Sequence, residues 1–376
     1  MAKADTSVKW FHSGMANGPI LRGEAGALIE LLDACLINGF DSRAVDSIVV
    51  AGGVATVSLS AGNPFEQHVV IQLAGATPAA LNAEWRIATS GASSFTFLCP
   101  GIADGTATGT ITCKRAPAGW AKPFSATNKG VYQSIDTNTT QLYLRLDDAH
   151  AQYTRVRGYE NMTDADTGDG LFPTLAQCAA TAYSWPKSNA AGIASRSWAL
   201  VADGSMIHFL PVWTASYPHA DVFRFGDAVP LFAADAYHCA ISAAAAASPA
   251  WPSHANATVM NMQYQTGCYF ARGADQAAGA AVTRNIAMNV NSAGGYSSAP
   301  PVAGELTFAP QIAFHANAIR ASIPGLLVGL ERKTDYITRT VSEGVDGRWY
   351  LKVAVGENVS TPDGSFVALD VTGPWR

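Results

Sequence analysis

Residues 47–60 read SIVVAGGVATVSLS, which is two short β-branched runs joined by Ala51, Gly52 and Gly53. A β-branched run bounded by glycine or polar residues predicts a strand, and two such runs with a short glycine link predict a hairpin. The fold class follows from this stretch, because the same kind of segment recurs along most of the chain.

Further strand-like segments follow at even spacing up to Arg115. They are HVVIQLAG (68–75), LNAEWRIATS (81–90), SSFTFLC (93–99) and TGTITCKR (108–115). Proline and glycine in APAGW (116–120) then interrupt the pattern. The sequence therefore predicts a small six-stranded β-barrel or sandwich domain over residues 46–116.

Residues 117–376 predict a larger, β-sandwich-like domain with one covering helix. Polar and apolar positions alternate in several segments, as in half-buried strands. These segments are QLYLRLDD (141–148), YTRVRGYENM (153–162), SRSWALVADGSMIHFLPVW (195–213), HADVFRFGDAV (219–229), GCYFARG (267–273) and GRWYLKVAV (347–355). Only LFPTLAQCAATAYSW (171–185) suggests a helix, which we expect to cover this domain.

Residues 1–45 predict an N-terminal arm followed by one amphipathic helix. Within 24–36 the apolar residues recur at the spacing of one helical face, and Asn38 and Gly39 are placed to end the helix. The segment lacks the basic start and long apolar run of a signal peptide, so we do not expect it to direct export. Its role is either to plug the adjacent β domain or to anchor the chain to a partner.

Four apolar residues of the arm are interleaved with glycine and proline. They are Trp10, Phe11, Ile20 and Leu21. This mixture suits an extended segment lying on another protein, so we predict that these side chains form an assembly interface.

Charged residues make up 14% of the chain, against about 25% in an average globular protein. The formal net charge of −5 gives no basic surface for phosphate neutralisation, which argues against nucleic-acid binding. The longest apolar-looking run, at 240–249, is much shorter than the ~20 residues that a membrane span needs.

The six cysteines are widely separated and include no CxxC pair, so a zinc site is not expected. Cys99 and Cys113 flank a predicted hairpin and could pair. The favoured interpretation is that all six are reduced and packed as small apolar residues, as in a protein assembled in a cytoplasm.

No nucleophile elbow, phosphate-binding loop, zinc-protease or dinucleotide-binding motif occurs at a usable position. The eight histidines are scattered singly, so their spacing nominates no catalytic base. We therefore predict that the protein is not an enzyme and carries no cofactor.

An acidic loop, TDADTGDG (163–170), contains Asp164, Asp166 and Asp169. Carboxylates on a glycine-containing loop suit calcium, but this loop lacks the terminal glutamate and spacing of an EF-hand. The favoured alternative is an acidic turn without metal. Asp147 and Asp148, at the end of a predicted strand, are expected to face solvent.

Aromatic residues are concentrated in the second half of the chain, and they either fill a core or form an exposed binding face. They are Tyr183, Trp185, Trp198, Trp213, Tyr217, Trp251, Tyr264, Tyr269 and Tyr296. Core packing is the favoured interpretation. At the C-terminus, FVALDVTGPWR (366–376) predicts a last strand, with Trp375 folding back to pack on the domain.

Three blocks of sequence together resemble structural proteins of long-tailed bacteriophages. The first block resembles the small β domain of tailed-phage virion proteins, with one departure at PFEQHVV (64–70), where that domain usually has a Gly-Asp turn. The blocks are 62–101 with 105–115, SWALVADGSMIHFLPVW (197–213) with 223–241, and IRASIPGLLVGL (319–330) with FVALDVTGPWR.

The resemblance implies a virion protein of the tail tip or baseplate, assembled in the host cytoplasm. Its implied partners are other tail and baseplate proteins and further copies of itself, as a trimer or hexamer. Two alternatives stay open: a tail-fibre module that binds carbohydrate on the host surface, and a capsid decoration protein. A host-surface module would place several second-half aromatics on one exposed face.

Overall fold

Antiparallel β-strands make up most of this protein. The structure, a computed structural model, describes residues 2–178, 183–214, 220–244, 267–273, 275–282, 284–286, 308–316, 318–329, 339–344, 347–355 and 365–376. Strands account for 52% of the described residues and helical turns for 5%. The predicted mainly β, sandwich-like fold with one short helix is therefore confirmed.

The elements up to Arg115 are, in chain order, β1 (Lys9–His12), β2 (Leu21–Gly23), α1 (Ala27–Leu32), a π-helical turn (Asp33–Asn38), β3 (Phe40–Ala44), β4 (Ser47–Ala51), β5 (Val54–Ser58), β6 (Val70–Ala74), a 3-10 turn (Ala79–Leu81), β7 (Glu84–Ser90), β8 (Ser94–Leu98), β9 (Gly105–Thr106) and β10 (Thr112–Arg115).

The strands described after Arg115 are β11 (Trp120–Ala126), β12 (Lys129–Ser134), β13 (Tyr143–Asp147), β14 (Tyr153–Tyr159), β15 (Asn161–Met162), β16 (Gly168–Asp169), β17 (Ser184–Pro186), β18 (Gly192–Ala202), β19 (Met206–Val212), β20 (Phe223–Asp227), β21 (Val229–Pro230), β22 (Cys239–Ser242), β23 (Cys268–Arg272), β24 (Ala278–Ala281), β25 (Arg284–Ile286), β26 (Phe308–His315), β27 (Ala318–Gly329), β28 (Thr340–Glu343), β29 (Trp349–Val355) and β30 (Ser365–Asp370).

The N-terminal sheet contains all six strands predicted between residues 46 and 116. Its strand order is β3-β10-β6-β7-β8-β5-β4-β9, so β3 and β9 extend it beyond the prediction. In the hairpin formed by β4 and β5, Ile48 lies opposite Val57. Ile48 and Val50 are buried while Val49 is exposed, which is the alternation expected of a strand with one face on the core.

The central sheet joins the N-terminal arm to the second half of the chain. Its order is β1-β18-β19-β20-β22-β23-β24, with β2 also paired to β18. Trp10 lies opposite Val201, and Leu21 lies opposite Arg196. Because β1 and β2 share a sheet with β18, the boundary predicted at residue 45 cuts through one layer of the fold.

This pairing corrects the predicted assembly interface. Trp10, Phe11 and Leu21 are buried in the protein's own core, so in this fold they are not available to a partner. Of the four predicted residues only Ile20 is exposed, at 54%. The arm is apolar because it supplies two strands to the central sheet.

The predicted amphipathic helix is confirmed and packs beside the middle sheet, whose order is β11-β12-β13-β14-β17. Helix α1 continues into the π-helical turn, which ends at Gly39 with φ of 68°. The predicted apolar face is fully buried; its members are Leu28, Leu31, Leu32, Cys35 and Leu36. Tyr132 of β12 donates to the Asp33 carboxylate at 2.7 Å and so fixes the turn to the sheet.

Asp148, expected in solvent, is instead buried at the start of α1. Its Oδ2 accepts the backbone N–H of Leu28 at 2.8 Å, and its Oδ1 accepts the hydroxyl of Thr154 at 2.5 Å. The ammonium group of Lys187 pairs with the same carboxylate. A carboxylate next to the first turn satisfies helix N–H groups that have no intrahelical acceptor.

The C-terminal sheet has the order β25-β26-β27-β30-β29-β28, with β21 paired to β27. The predicted last strand is present as β30, and Val367, Leu369 and Val371 on it or just after it are buried. This sheet contacts the central sheet through His208, whose Nε2 lies 2.9 Å from the carbonyl oxygen of Pro324.

The covering helix predicted at 171–185 is not present in the described part of that segment. Phe172 and Gly158 exchange backbone hydrogen bonds of 2.9 Å, residues 174–177 form a turn, and 184–186 form β17. The Phe172 ring lies so close to Gly158 that a Cβ there would meet it at 2.2 Å. Pairing and packing with β14 therefore outweigh the helical pattern; residues 179–182 lie outside the described residues.

Arg86 joins three distant parts of the chain. Its guanidinium donates to the carbonyl oxygens of Asp5 at 2.7 Å, His68 at 2.8 Å and Val8 at 3.0 Å, and also to that of Val371. The side chain is buried, so these carbonyls replace the water it would otherwise bind. One residue of the N-terminal sheet thus holds both the arm and the end of β30.

All six cysteines are free and buried, as the favoured interpretation predicted. Burial raises the pKa of the Cys35 and Cys239 thiols well above the ordinary range. They therefore pack as small apolar groups.

Candidate functional site

A surface pocket of about 420 Å³ lies where the segment after β21 crosses the start of β27. Three parts of the chain form it. Its lining residues are Phe232, Ala234, Asp235, Ala236, Tyr237, Gly273, Gln276, His315, Ala318, Ile319 and Arg320. Its size is typical of a site for a small ligand or for one or two side chains of a partner.

Backbone pairing places the segment over β27. Val229 lies opposite Ser322, and the N–H of Leu231 donates to the carbonyl oxygen of Arg320 at 2.8 Å. The chain then turns, because Asp235 N–H donates to the Phe232 carbonyl oxygen at 2.9 Å. The Asp235 carboxylate accepts the N–H of Tyr237 at 3.0 Å and closes a local turn.

Two ion pairs neutralise the charged groups around the pocket. Arg320 contacts both carboxylate oxygens of Asp235, at 2.7 and 3.0 Å, and its guanidinium lies 4.4 Å from the centre of the Phe270 ring. Arg272 pairs with Glu160 at 2.5 Å and lies over the Tyr237 ring. Burial acts to raise the pKa of Asp235, but the hydrogen bonds from Arg320 and Tyr237 bring it below its ordinary value. Asp235 is therefore ionised, and its carboxylate is hydrogen-bonded to Arg320 and Tyr237.

The described lining contains one carboxylate, one histidine and one tyrosine as groups that could take part in acid–base chemistry. Among the described residues that line the pocket, Asp235 is the one carboxylate, and there is no serine, threonine or cysteine. His315 holds the carbonyl oxygen of Ala281 at 2.9 Å through Nδ1. A hydrolytic site would need a second carboxylate or a nucleophile beside such a histidine.

Large apolar side chains at the pocket are open to solvent: Phe232 and Ile319 line it, and Leu231 precedes Phe232 in the chain. Phe232 is 71% exposed, Leu231 59% and Ile319 45%. We call these three residues the apolar rim. Apolar side chains clustered around a pocket on a protein surface mark a contact site more often than scattered ones do.

The acidic loop, for which a turn without metal was favoured over a calcium site, engages its three aspartates in other contacts. Asp164 accepts the backbone N–H groups of Asp166 and Thr167 at 2.7 and 2.8 Å, as in a tight turn. Asp166 is paired with Lys129 and Arg145. Asp169 lies opposite Asn161 in the two-stranded sheet of β15 and β16. In the described part of the chain no group of three or more His, Cys, Asp or Glu side chains is arranged to hold a metal ion.

The predicted aromatic residues that the structure describes are core residues. The buried ones are Tyr183, Trp185, Trp198, Trp213 and Tyr269. Tyr217, Trp251, Tyr264 and Tyr296 lie outside the described residues. The favoured core interpretation is confirmed for the first five, and they form no exposed sugar-binding face.

Sequence reasoning missed the pocket and its rim. The local signal is in PLFAADAY (230–237), where two large apolar residues stand between a proline and a run of small residues. The other lining residues come from 273–276 and 315–320, and nothing in the sequence links those stretches to residue 232.

The described residues include no helix long and apolar enough to cross a membrane. No protein-family model and no curated protein matches this chain.

Proposed function

We propose that this protein is a structural component of a bacteriophage virion, a tail-tip or baseplate protein that assembles through protein–protein contacts. In this proposal it has no catalytic activity. The observation that carries the proposal is the apolar rim of Leu231, Phe232 and Ile319 around a charge-neutral pocket. The sequence resemblance and the low charge content agree with it.

The occupant that we propose for the rim is a second copy of the chain. Each copy offers both projecting apolar side chains and an apolar hollow, so the surface is self-complementary. The Arg320–Asp235 and Arg272–Glu160 pairs cancel their charges, which lets two identical surfaces approach without repulsion. A self-complementary contact of this kind forms a two-fold dimer, which can be one of the contacts within a hexamer. The expected trimer or hexamer symmetry itself rests on the resemblance alone.

Sedimentation velocity tests this proposal. The wild-type protein should associate, and the double substitution Phe232→Ser with Ile319→Ser should weaken association about 10-fold or more, since buried apolar anchors carry much of an interface's energy. The matched control is Ile193→Ser, which removes an apolar side chain that is 80% exposed and outside the pocket lining. A monomeric wild type, or equal weakening by the control, would contradict the proposed contact.

Carbohydrate binding at a host surface is the second candidate, because Phe232 is an exposed aromatic ring at the mouth of a pocket. A sugar needs the ring face, whereas a protein contact needs only apolar volume. If the rim is a protein contact, Phe232→Leu should therefore preserve association. If the rim binds carbohydrate, the same variant should lose adhesion to host cells. Antibody labelling of virions, viewed by negative-stain microscopy, then tests the position in the particle.

A further inference from the structure

His238 lies between two acceptors at the base of the segment that carries Leu231 and Phe232. Its Nδ1 contacts the backbone carbonyl oxygen of Asp235. Its Nε2 lies 3.4 Å from Oδ2 of Asp227, the last residue of β20. A carbonyl oxygen accepts hydrogen bonds and cannot donate them, and the same holds for a carboxylate. Each ring nitrogen of His238 therefore faces an oxygen that needs an N–H donor.

Backbone hydrogen bonds connect the first of these acceptors to the apolar rim. The N–H of Ala228 donates to the His238 carbonyl oxygen at 3.1 Å and closes residues 228–238 into a loop, which we call the rim segment. Within it, the Asp235 N–H donates to the Phe232 carbonyl oxygen at 2.9 Å, while the Asp235 carbonyl oxygen contacts the His238 ring. The ring thus fixes the turn from which Phe232 projects.

The second acceptor, Asp227, is held by other parts of the chain. Its buried carboxylate accepts the backbone N–H of Thr140 at 2.7 Å and the Thr140 hydroxyl at 2.6 Å. Arg376 donates to the Asp227 backbone carbonyl oxygen at 3.0 Å, and its own charge lies 3.6 Å from the carboxylate of Asp203. Asp227 is therefore a fixed point to which His238 ties the rim segment.

The charges around His238 favour its protonated form. Arg320 of β27 pairs with the Asp235 carboxylate, so the carboxylate that faces the ring is that of Asp227. Burial acts to lower the pKa of His238, but its hydrogen bonds to Asp227 and to the Asp235 carbonyl oxygen raise it above the ordinary value of 6.5. The folded protein therefore binds this proton more tightly than the unfolded chain does.

A neutral imidazole has one N–H, so loss of the proton leaves a nitrogen lone pair facing an oxygen on one side of the ring. We propose that His238 is a proton-controlled clamp on the rim segment, which holds the apolar rim in its binding position when protonated and loosens it when neutral. This inference rests on the proposed self-association at the rim and adds its regulation. Association should therefore weaken as the pH rises above 6.5 and through the pKa of the folded protein.

Nuclear magnetic resonance of histidine labelled with ¹⁵N tests the clamp independently of association. The sample is the double variant Phe232→Ser with Ile319→Ser, which loses two rim side chains and keeps His238 and both of its acceptors. At pH 6 both ring nitrogens of His238 should show imidazolium shifts, and the titration midpoint should lie above 6.5. A midpoint at or below 6.5 would overturn the proposal.

Hydrogen exchange in the same double variant tests the connection from the ring to the rim. After correction for the intrinsic effect of pH, amides 231–237 should exchange about 10-fold faster at pH 8.5 than at pH 6.5, because a charge-assisted hydrogen bond is lost. Amides of β4 in the N-terminal sheet serve as the internal control and should keep equal corrected rates. Equal corrected rates in 231–237 would mean that His238 does not hold the rim segment.

Sedimentation velocity at pH 6.5 and 8.5 tests the effect on assembly. Wild-type association should weaken about 5-fold or more at the higher pH, and His238→Gln, which has no titrating ring, should lose most of this dependence. His150→Gln is the matched control and should keep it, because His150 stacks on Tyr153 and does not line the pocket. An equal pH effect in wild type and His238→Gln would refute the clamp.

The outcomes separate this proposal from the contact on which it rests. A wild type that is monomeric at both pH values would contradict the self-association at the rim. Association that persists unchanged at pH 8.5 would leave that contact intact and overturn its control by His238. Should His238→Gln fail to fold, the ring titration and the exchange rates of the double variant decide.

Discussion

Lys187 and Asp148 form an ion pair in which neither side chain is exposed to solvent. The same carboxylate accepts the N–H groups of Leu28 and Ile29 in the first turn of α1. The Lys187 ammonium also donates to the Glu24 carbonyl oxygen at 2.6 Å. The pair therefore fixes the N-terminal helix to the middle sheet.

Replacing Asp148 with asparagine should destabilise the fold by about 3–5 kcal/mol, because it leaves the Lys187 charge buried without a counter-charge. Urea unfolding measures this change in the free energy of unfolding. The double variant Asp148→Asn with Lys187→Met should recover part of the loss, since no buried charge is then left unpaired. A loss below about 1 kcal/mol in the single variant would argue against this role for the pair.

The sequence predicted what depends on local pattern and missed what depends on distant partners. The β-branched run in SIVVA identified β4, and the structure buries Ile48 and Val50 while leaving Val49 exposed. Asp148 follows the same kind of strand, and its burial depends on Lys187, 39 positions away. The helix predicted at 171–185 failed for a similar reason, since the pairing of Phe172 with Gly158 is not visible in the pattern of either segment.

The candidate site depends even more than these elements do on contacts between distant parts of the chain. Phe232, Gly273 and Ile319 line one pocket because β21 pairs with β27 and β23 lies beside them in space. For the N-terminal arm too, the sequence pattern did not show which distant segment is its partner. The apolar character of Trp10 and Phe11 was recognised, but its partner is β18 of the same chain and not another protein.

Replacing Arg86 with methionine should loosen both ends of the chain together. The variant loses every guanidinium bond to the carbonyls of Asp5, Val8, His68 and Val371, and we expect a loss of about 3 kcal/mol. Hydrogen exchange should become faster around residues 5–8 and 371–373 at once. Arg22→Met, which breaks a surface pair with Glu24, is the control and should cost less than about 1 kcal/mol. Faster exchange at only one end would contradict the joint role of Arg86.

His208 should make the protein less stable in mild acid. Burial, followed by the nearby charge of Arg224, lowers its pKa to about 3, whereas in the unfolded chain it is about 6.5. Below pH 6.5 the unfolded chain gains a proton that the folded protein does not bind. This term therefore lowers stability as the pH falls from 6.5 towards 3, by at most about 1.4 kcal/mol per pH unit.

The substitution His208→Gln keeps a donor for the Pro324 carbonyl oxygen but removes the titrating group. Stability measured by urea unfolding between pH 6.5 and 4 should fall less steeply in this variant than in the wild type. Part of the slope will persist, since burial also lowers the pKa of His68 to about 4. Equal slopes in the two proteins would refute the assignment to His208.

Trp375 should behave as a packing residue. Its indole N–H donates to the Asp370 carbonyl oxygen at 2.9 Å, and its ring covers Gly325, where a Cβ would meet the indole at 2.1 Å. Trp375→Ala should cost about 2 kcal/mol, less than the full value for a completely buried tryptophan. Thermal unfolding checks this, and the midpoint of Trp375→Phe is expected to lie between those of the wild type and Trp375→Ala. An unchanged midpoint would contradict the packing role.

Gly325 offers a reciprocal test of the same contact. Gly325→Ala should destabilise the wild type through both its φ of 70° and the clash with the indole. In a Trp375→Ala background the clash is absent, so the alanine should cost less there. Additive costs in the double variant would mean that the two residues do not interact.

The contacts of Arg86 also set an order of events during synthesis. The N-terminal sheet is built from residues 40–115 alone and can form as soon as that stretch has left the ribosome. Arg86 must then wait for Val371, which follows 285 positions later, and at ~5–20 residues per second this takes on the order of 15–60 s. Until β18 emerges, β1 has no strand to pair with, so a nascent chain shorter than about 202 residues exposes Trp10 and Phe11. Chaperone binding should therefore be strongest before residue 202 is made. Chains that stop early should contain a folded N-terminal sheet preceded by an unpaired, apolar β1.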